Sequence, residues 1–159
     1  MSLDPDELST WAAFATVLER LPAALDAQLQ RDAGLTHFEY GLLFALDTAP
    51  DRSLQLKTLA GYASCTLSRL SRAITRLEKD GLVTRVIDPD DGRITRGVLT
   101  AAGHDRVRAA SPGHEELVRR IVFDALTDRQ AHELGRISRR IAEAAGPERT
   151  WTPPDSRVT

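Results

Sequence analysis

The fold of this chain is decided by the stretch TLSRLSRAITRLEK, residues 66–79. Wound as a helix, it gathers its large aliphatic side chains on one face, which predicts a buried side. Those side chains are Leu67, Leu70, Ile74 and Leu77. The remaining surface carries only cations and hydroxyls as far as Leu77, so the usual ion-pair partners of a solvated helix are absent. Such a face suits the phosphates and major-groove base edges of a nucleic-acid duplex. The alternative is an ordinary basic surface helix.

The residues before this stretch predict a helix-turn-helix. A short helix is expected near residues 56–63, followed by the tight turn Ser64-Cys65-Thr66. Either Thr66 or Ser64 can cap the long helix, and Gly81 fits a cap past its end.

The residues after it predict a β-hairpin. Runs rich in β-branched residues at 82–87 and 94–99 flank Asp-Pro-Asp-Asp-Gly at 88–92. Arg93 lies beside this loop, where Asp91 can hold its guanidinium through a charge-assisted pair. An arginine at a hairpin tip is suited to a narrow minor groove. Arg85 and Arg96 are placed on the two strands. Helix, turn, helix and hairpin together predict a winged helix-turn-helix.

Helical periodicity continues toward the N-terminus. A first helix is predicted from about Ser9 to Arg31, with Pro22 expected to kink or split it. Thr36 and Glu39 form the sequence signature of a capping box, which starts a second and strongly apolar helix.

Two further helices are predicted toward the C-terminus. One is capped by Thr100, interrupted at residues 111–113 and resumed near Glu115. The last begins at a capping box over residues 127–130. It is expected to bury Leu134, Ile137, Ile141 and Ala145. The polar, proline-containing tail, residues 147–159, is expected to be mobile.

Charge is distributed unevenly along the chain, although the formal net charge is −2. Residues 52–108 hold 11 basic and 6 acidic side chains, whereas the remainder holds 10 basic and 17 acidic ones. A basic middle with acidic flanks favours a segment that faces a polyanion. The chain lacks a membrane-length apolar run and the pattern of a signal peptide, so a soluble cytoplasmic protein is expected.

Three separated motifs resemble the MarR (multiple antibiotic resistance regulator) family of transcriptional regulators. They are Arg-Leu-Glu-Lys-Asp-Gly-Leu-Val at 76–83, Asp-Pro-Asp-Asp-Gly-Arg at 88–93 and Leu-Thr-Ala-Ala-Gly at 99–103. The resemblance implies an obligate homodimer formed by the first and last helices, a palindromic operator and, often, an inducer pocket between the dimerisation and DNA-binding regions. Gly97 departs from the apolar residue usual at that strand position and is expected to loosen the wing.

The expected fold is mainly α with a small two- or three-stranded β-wing. The expected organisation is an N-terminal dimerisation helix at 1–34, a winged helix-turn-helix DNA-binding domain at 35–103, C-terminal dimerisation helices at 104–146 and the tail. The expected function is sequence-specific binding of double-stranded DNA by a homodimer, as a repressor. A winged helix that binds protein rather than DNA is the alternative.

Candidate DNA contacts follow from the helix and the wing. They are Thr66, Ser68, Arg69, Ser71, Arg72, Thr75, Arg76, Arg93 and Arg96. Ser68, Arg69 and Arg72 are expected at base edges, because recognition helices read with their N-terminal portion. Arg76 is expected at a phosphate, and Arg93 in the minor groove.

A candidate pocket for a small aromatic or phenolic ligand is predicted where the first two helices meet. Its residues are Trp11, Phe14, His37, Phe38 and Tyr40, with core and dimer packing as the alternative. Cys65 precedes the recognition helix and admits a thiol-based redox response, with a structural cysteine as the alternative. No histidine pair has the spacing of a metal site, and neither a phosphate loop nor a nucleophile elbow is present. A non-enzymatic protein without cofactor or metal is therefore expected.

Overall fold

The computed structural model describes residues 2–146, so the expected mobile tail lies outside the described residues. Six helices and three short strands form the described chain. The helices are α1 (Pro5–Ala33), α2 (His37–Asp47), α3 (Leu56–Tyr62), α4 (Leu67–Lys79), α5 (Ala101–Val118) and α6 (Asp128–Ala145). The strands are β1 (Ser53–Gln55), β2 (Val83–Ile87) and β3 (Thr95–Leu99). A 3-10 turn (Pro50–Arg52) precedes β1, and a π-helical turn (Arg119–Phe123) follows α5.

Side-chain caps start the helices where the sequence predicts them. The hydroxyls of Thr36, Thr66, Thr100 and Thr127 each accept a hydrogen bond from the amide three residues later. The capping boxes of α2 and α6 are both formed, and α1 has a third between Asp4 and Glu7. That acidic start extends α1 four residues beyond the predicted beginning at Ser9.

The predicted split of α1 at Pro22 and the predicted interruption of α5 at residues 111–113 are wrong. Helix α1 runs through Pro22 without splitting, and α5 runs through residues 111–113, including Pro112. A proline removes one backbone donor, but hydrogen bonds on both sides of it and the packing of α1 against α5 keep both helices continuous. The interruption in this region comes later, at the π-helical turn.

The core forms around α2, which is buried on most of its surface. Leu43 and Leu46 are fully buried and pack with Leu70, Ile74 and Leu77 of α4. Leu67 was predicted on that buried face, but 55% of its surface is exposed. As the first residue of α4, it lies on the flank of the buried stripe and beyond the end of the core.

The wing is a three-stranded antiparallel sheet in the order β1-β3-β2. Val83 pairs with Leu99 and Ile87 with Thr95, so the hairpin loop spans the Asp-Pro-Asp-Asp-Gly segment as expected. The third strand, β1, closes the sheet against the helix-turn-helix. The wing therefore has a fixed position relative to α4.

Both ends of the described chain present apolar stripes. On α6, the side chains expected to be buried are exposed: Leu134 and Ile137 by 41% and Ile141 by 43%. On α1, Leu8, Trp11 and Leu18 are more than half exposed. No other element of residues 2–146 covers them, so the predicted burial of the α6 stripe does not occur within the described part of the chain. No helix of the described residues is both long and apolar enough to cross a membrane.

Candidate nucleic-acid interface

Helix α4 is anchored on one side and open on the other. Its N-terminus is capped by Thr66, whose hydroxyl accepts from the amide of Arg69 at 3.2 Å. The turn before it places Ser64 in the left-handed region, at φ 46°. Thr66 is therefore the cap, and Ser64 makes the turn. Leu70, Ile74 and Leu77 hold the helix on the core with no exposed surface.

The outward side of α4 carries cations and hydroxyls without partners. Ser68, Arg72 and Lys79 are exposed and make no hydrogen bond or ion pair with any residue that the structure describes. They lie within about 40° of one another around the helix and opposite the buried stripe. Because neither an acid nor a carbonyl engages it, the Arg72 guanidinium keeps its donors free for an external acceptor.

Two arginines on the adjacent flank of α4 are engaged by α2. The Arg76 guanidinium donates to the carboxylate of Glu39, whose surface is 3% exposed. Arg69 stacks over the ring of Phe38, with its guanidinium carbon 4.4 Å from the ring centroid. Arg76, expected at a phosphate, is thus a brace between α2 and α4, and Arg69 lies partly against an aromatic ring.

The flank of α4 toward the wing is engaged by Arg85 of β2. Its guanidinium pairs with Glu78 and donates to the Ser71 carbonyl at 2.8 Å and the Thr75 hydroxyl at 3.0 Å. The hydroxyls of Ser71 and Thr75, expected at the duplex, therefore face an internal cation. This arrangement fixes the wing against the recognition helix.

The tip of the wing projects an arginine into solvent. Arg93 donates through Nε and an Nη to the two carboxylate oxygens of Asp91, each at 3.0 Å, while its side chain stays 91% exposed. The hydrogen bonds from the Arg93 side chain and backbone lower the pKa of Asp91, and the same carboxylate raises the pKa of Arg93. The pair holds the guanidinium outward with donors to spare.

Arg96 is placed differently from its expected role at the duplex. Its guanidinium donates to the Ser53 hydroxyl at 2.8 Å, to the Ser53 carbonyl at 3.2 Å and to Asp88 at 3.2 Å. Less than a third of its side chain is exposed. Arg96 therefore joins β1 to the base of the hairpin loop, because its strand position points it across the sheet rather than outward.

A cavity of about 830 Å³ lies between α1, α2, α4 and α5. Its wall includes His37, Phe38 and Tyr40 from the predicted pocket. Trp11 and Phe14 do not line it. Their rings contact each other at 6.3 Å on α1, and Trp11 is 52% exposed. Both lie two or more turns before Pro22, which with Asp26 is the part of α1 that reaches the cavity.

The cavity also contains polar groups that were not predicted to lie there. The His114 ring from α5 lies 4.6 Å from Tyr40 and 5.6 Å from His37. Burial lowers the pKa of both histidines, and each also faces a carboxylate that opposes this effect, Asp26 for His37 and Glu115 for His114. Burial raises the pKa of Tyr40, whose hydroxyl lies 3.0 Å from the Ser111 hydroxyl.

The sequence does not indicate that Glu39 and Arg85 form ion pairs that hold α4 in place. Glu39 was recognised as half of a capping box, and its carboxylate also accepts from Thr36. Glu39 also accepts a hydrogen bond from Arg76 of α4, a residue 37 positions away in the sequence. No local pattern signals such contacts, because they join residues that are distant in the sequence.

The surroundings of Cys65 and of the histidines bear on the redox and metal sites considered from the sequence. Burial raises the pKa of the Cys65 thiol, which disfavours the thiolate that a redox sensor uses. Residues 2–146 contain no cluster of three metal-ligating side chains.

The helix-turn-helix packs one face of α4 on the core, presents cations on the opposite face and is followed by a wing with an arginine at its tip. These features define a winged helix-turn-helix protein. A family model described as MarR family matches residues 35–95. Sco3205, a MarR family transcriptional regulator from Streptomyces coelicolor solved in complex with DNA, is 44% identical. Its match covers 92% of this chain and 95% of that one, with a TM-score of 0.90. AbsC, a MarR family regulator from the same organism, is 32% identical over 91% of this chain and 97% of that one, with a TM-score of 0.87.

The chain therefore belongs to the MarR family of transcriptional regulators, which are not enzymes. The HTH-type transcriptional repressor IacR from Pseudomonas putida is 27% identical over 120 residues. That match covers 76% of this chain and 65% of IacR, so the chain spans just under two thirds of that relative.

Proposed function

We propose that this protein is a transcriptional repressor that binds a palindromic DNA operator as a homodimer. The observation that carries the proposal is the outward face of α4, where Ser68, Arg72 and Lys79 have no partner in the described chain. The DNA complex of Sco3205, at 44% identity, supports duplex binding, and the repressor IacR supports the sign of regulation.

Within this proposal, α4 lies in the major groove. Ser68 and Arg72 contact base edges near the N-terminal half of the helix, Thr66 lies at its entrance and Arg69 reaches the groove from the α2 side. Arg93 enters the adjacent minor groove, where the negative potential is strongest. Arg76, Arg85 and Arg96 act as braces that hold the helix and wing in register. Two half-sites about one helical turn, ~10 bp, apart then match a twofold dimer.

The dimer is proposed to form through residues 1–34 and 104–146, leaving residues 35–103 as the DNA-binding domain. The exposed apolar stripes of α1 and α6 support this division, because the residues that the structure describes leave each of them uncovered. Exposed apolar stripes of this kind are typical of a homodimer interface.

The cavity is proposed to take a small aromatic or phenolic acid that releases the operator. Phe38, Tyr40 and Phe44 supply aromatic surface, and Arg69 and Arg76 of the recognition helix stand in the wall. A ligand anion there contacts the same helix that meets DNA, which links occupancy of the cavity to operator affinity.

Duplex selection from a random pool tests the DNA-binding proposal, followed by affinity measurement at several salt concentrations. Arg72→Ala is expected to cost roughly 1–3 kcal/mol and to relax preference at one base pair. Arg108→Ala, which removes an exposed arginine from α5, is the matched control and should leave both unchanged. An Arg72→Ala protein with wild-type affinity and preference would contradict this assignment. Affinity independent of salt would favour a protein-interaction module instead.

Thermal-shift and operator-release measurements with aromatic carboxylic acids test the ligand proposal. Tyr40→Phe removes only a hydroxyl from the cavity and should change ligand affinity, whereas Trp11→Phe, outside the cavity, should not. Release of the operator without any change in melting temperature would oppose binding at this site.

A further inference from the structure

The described residues include 13 large apolar side chains that are exposed to solvent. Ten of them lie in the N-terminal segment or beyond residue 118, the two regions assigned to the proposed dimer. Two more lie on β2. Leu67 belongs to neither group. It is the one large exposed apolar side chain on the described helix-turn-helix, at 55% exposure, and the proposed dimer does not account for it.

Leu67 lies at the N-terminal end of α4, the part of a recognition helix that meets base edges. It is the first residue of α4, directly after the capping Thr66 and directly before the unpartnered Ser68. Ser71 lies one turn further along the same side of the helix. The core begins one turn deeper, at the fully buried Leu70, so Leu67 contributes little to the packing of α4.

The major groove offers such a side chain one apolar partner. Donors and acceptors line the edges of guanine, cytosine and adenine, whereas thymine adds a C5-methyl group that projects into the groove. Contact between an aliphatic side chain and this methyl removes apolar surface from water on both partners.

We propose that Leu67 is a specificity-determining residue that contacts the C5-methyl of one thymine in each half-site. The inference rests on the proposed DNA binding and adds the identity of one base and the residue that reads it. Ser68 and Arg72 then supply hydrogen bonds to neighbouring bases, and Leu67 supplies the apolar contact at the start of the helix.

Thymine-to-uracil replacement in the selected operator tests the proposal directly. Uracil pairs with adenine as thymine does and lacks only the methyl group, so each symmetric pair of thymines is replaced in turn. Wild-type protein should lose about three- to fivefold in affinity per half-site at one position and almost nothing at the others. Leu67→Ala should bind the thymine operator more weakly by a similar factor and show no further loss with uracil.

Ile87→Ala is the matched control, because Ile87 is equally apolar and 68% exposed but lies on the wing. It should keep the wild-type penalty for uracil, and thermal melting should confirm that both variants fold. Uniform tolerance of uracil, a selected operator without thymine in its half-sites, or an unchanged uracil penalty in Leu67→Ala would each overturn the proposal. If the wild-type protein selects no duplex at all, the proposed function itself fails, which is a separate outcome.

Discussion

At the residue scale, the arginines of the recognition region divide by whether the fold already satisfies them. Arg72 has no partner among residues 2–146, and Arg93 is held outward by Asp91. Arg76, Arg85 and Arg96 each join two elements through carboxylates or carbonyls. Fewer arginines are therefore available to contact a duplex than the sequence alone indicates.

Glu39→Gln is expected to convert one brace into a phosphate contact. Glutamine preserves the capping-box acceptor for the Thr36 amide but removes the charge that holds Arg76. The freed guanidinium should steepen the dependence of log affinity on log salt by about one per protomer. It should also strengthen binding to random duplex relative to operator. Affinity titrations over a range of salt measure both effects.

The control for this prediction is the same change in an Arg76→Gln background. There Glu39→Gln has no cation to release, so the salt dependence should not change between the two proteins. An equally steep rise in that background would place the effect elsewhere in the molecule.

At the element scale, two glycines near the wing differ in the space available for a Cβ atom. A Cβ on Gly103, in the first turn of α5, would lie 2.2 Å from the carbonyl oxygen of Leu82. A Cβ on Gly97, in β3, would meet Leu56 at 3.4 Å and Val83 at 3.8 Å, which are ordinary contacts. Gly97 is therefore expected to loosen the wing because glycine has a low strand propensity. A Cβ at this position would have enough space.

Gly103→Ala is expected to destabilise the protein by about 1–3 kcal/mol or more, since backbone must move to admit the methyl group. Gly97→Ala is expected to be neutral or to stabilise by roughly 0.5–1 kcal/mol, because alanine loses less conformational entropy in a strand. Chemical denaturation of both variants measures the difference. Equal stabilities would show that the close approach of α5 to Leu82 relaxes without cost.

At the scale of the whole molecule, the cavity links the stability of the helical framework to pH. His37 comes from α2 and His114 from α5, and Asp26 of α1 accepts from the His37 amide at 2.6 Å. Burial lowers the pKa of both imidazoles below the ordinary 6.5. The unfolded chain therefore takes up protons at a higher pH than the folded chain does.

The free energy of unfolding is accordingly expected to fall as pH drops below 6.5, and this contribution is fully lost below the folded pKa values. Urea denaturation at about pH 7.5 and 5.5, at fixed protein concentration, measures the loss. The double variant His37→Gln, His114→Gln should show a smaller difference between the two pH values. His132→Gln, at an exposed position, should retain it. An identical pH dependence in all three proteins would oppose this account.

Assembly is the other property of the whole molecule. Ile137→Glu places a charge in the exposed stripe of α6 and is expected to give monomers by light scattering, with loss of operator binding. Arg139→Glu adds the same side chain on the opposite face of α6 and should remain dimeric. A dimeric Ile137→Glu protein would exclude this stripe from the interface.

Local patterns were enough to predict the helix starts, the winged helix-turn-helix and the family, because caps, periodicity and turn residues act over a few neighbouring positions. The capping box at Thr36 and the hairpin between residues 82 and 99 are local patterns of this kind. Strand β1 was not located, since three residues carry too short a pattern.

The packing of distant elements determines which side chains of residues 2–146 are left without a partner. Arg76 meets Glu39 across 37 positions, Arg96 meets Ser53 across 43 and Tyr40 meets Ser111 across 71. Such contacts depend on how whole helices pack, and so does the continuity of α1 and α5 through their prolines. A local pattern records the chemistry of a side chain, whereas the packing of distant elements determines what that side chain faces.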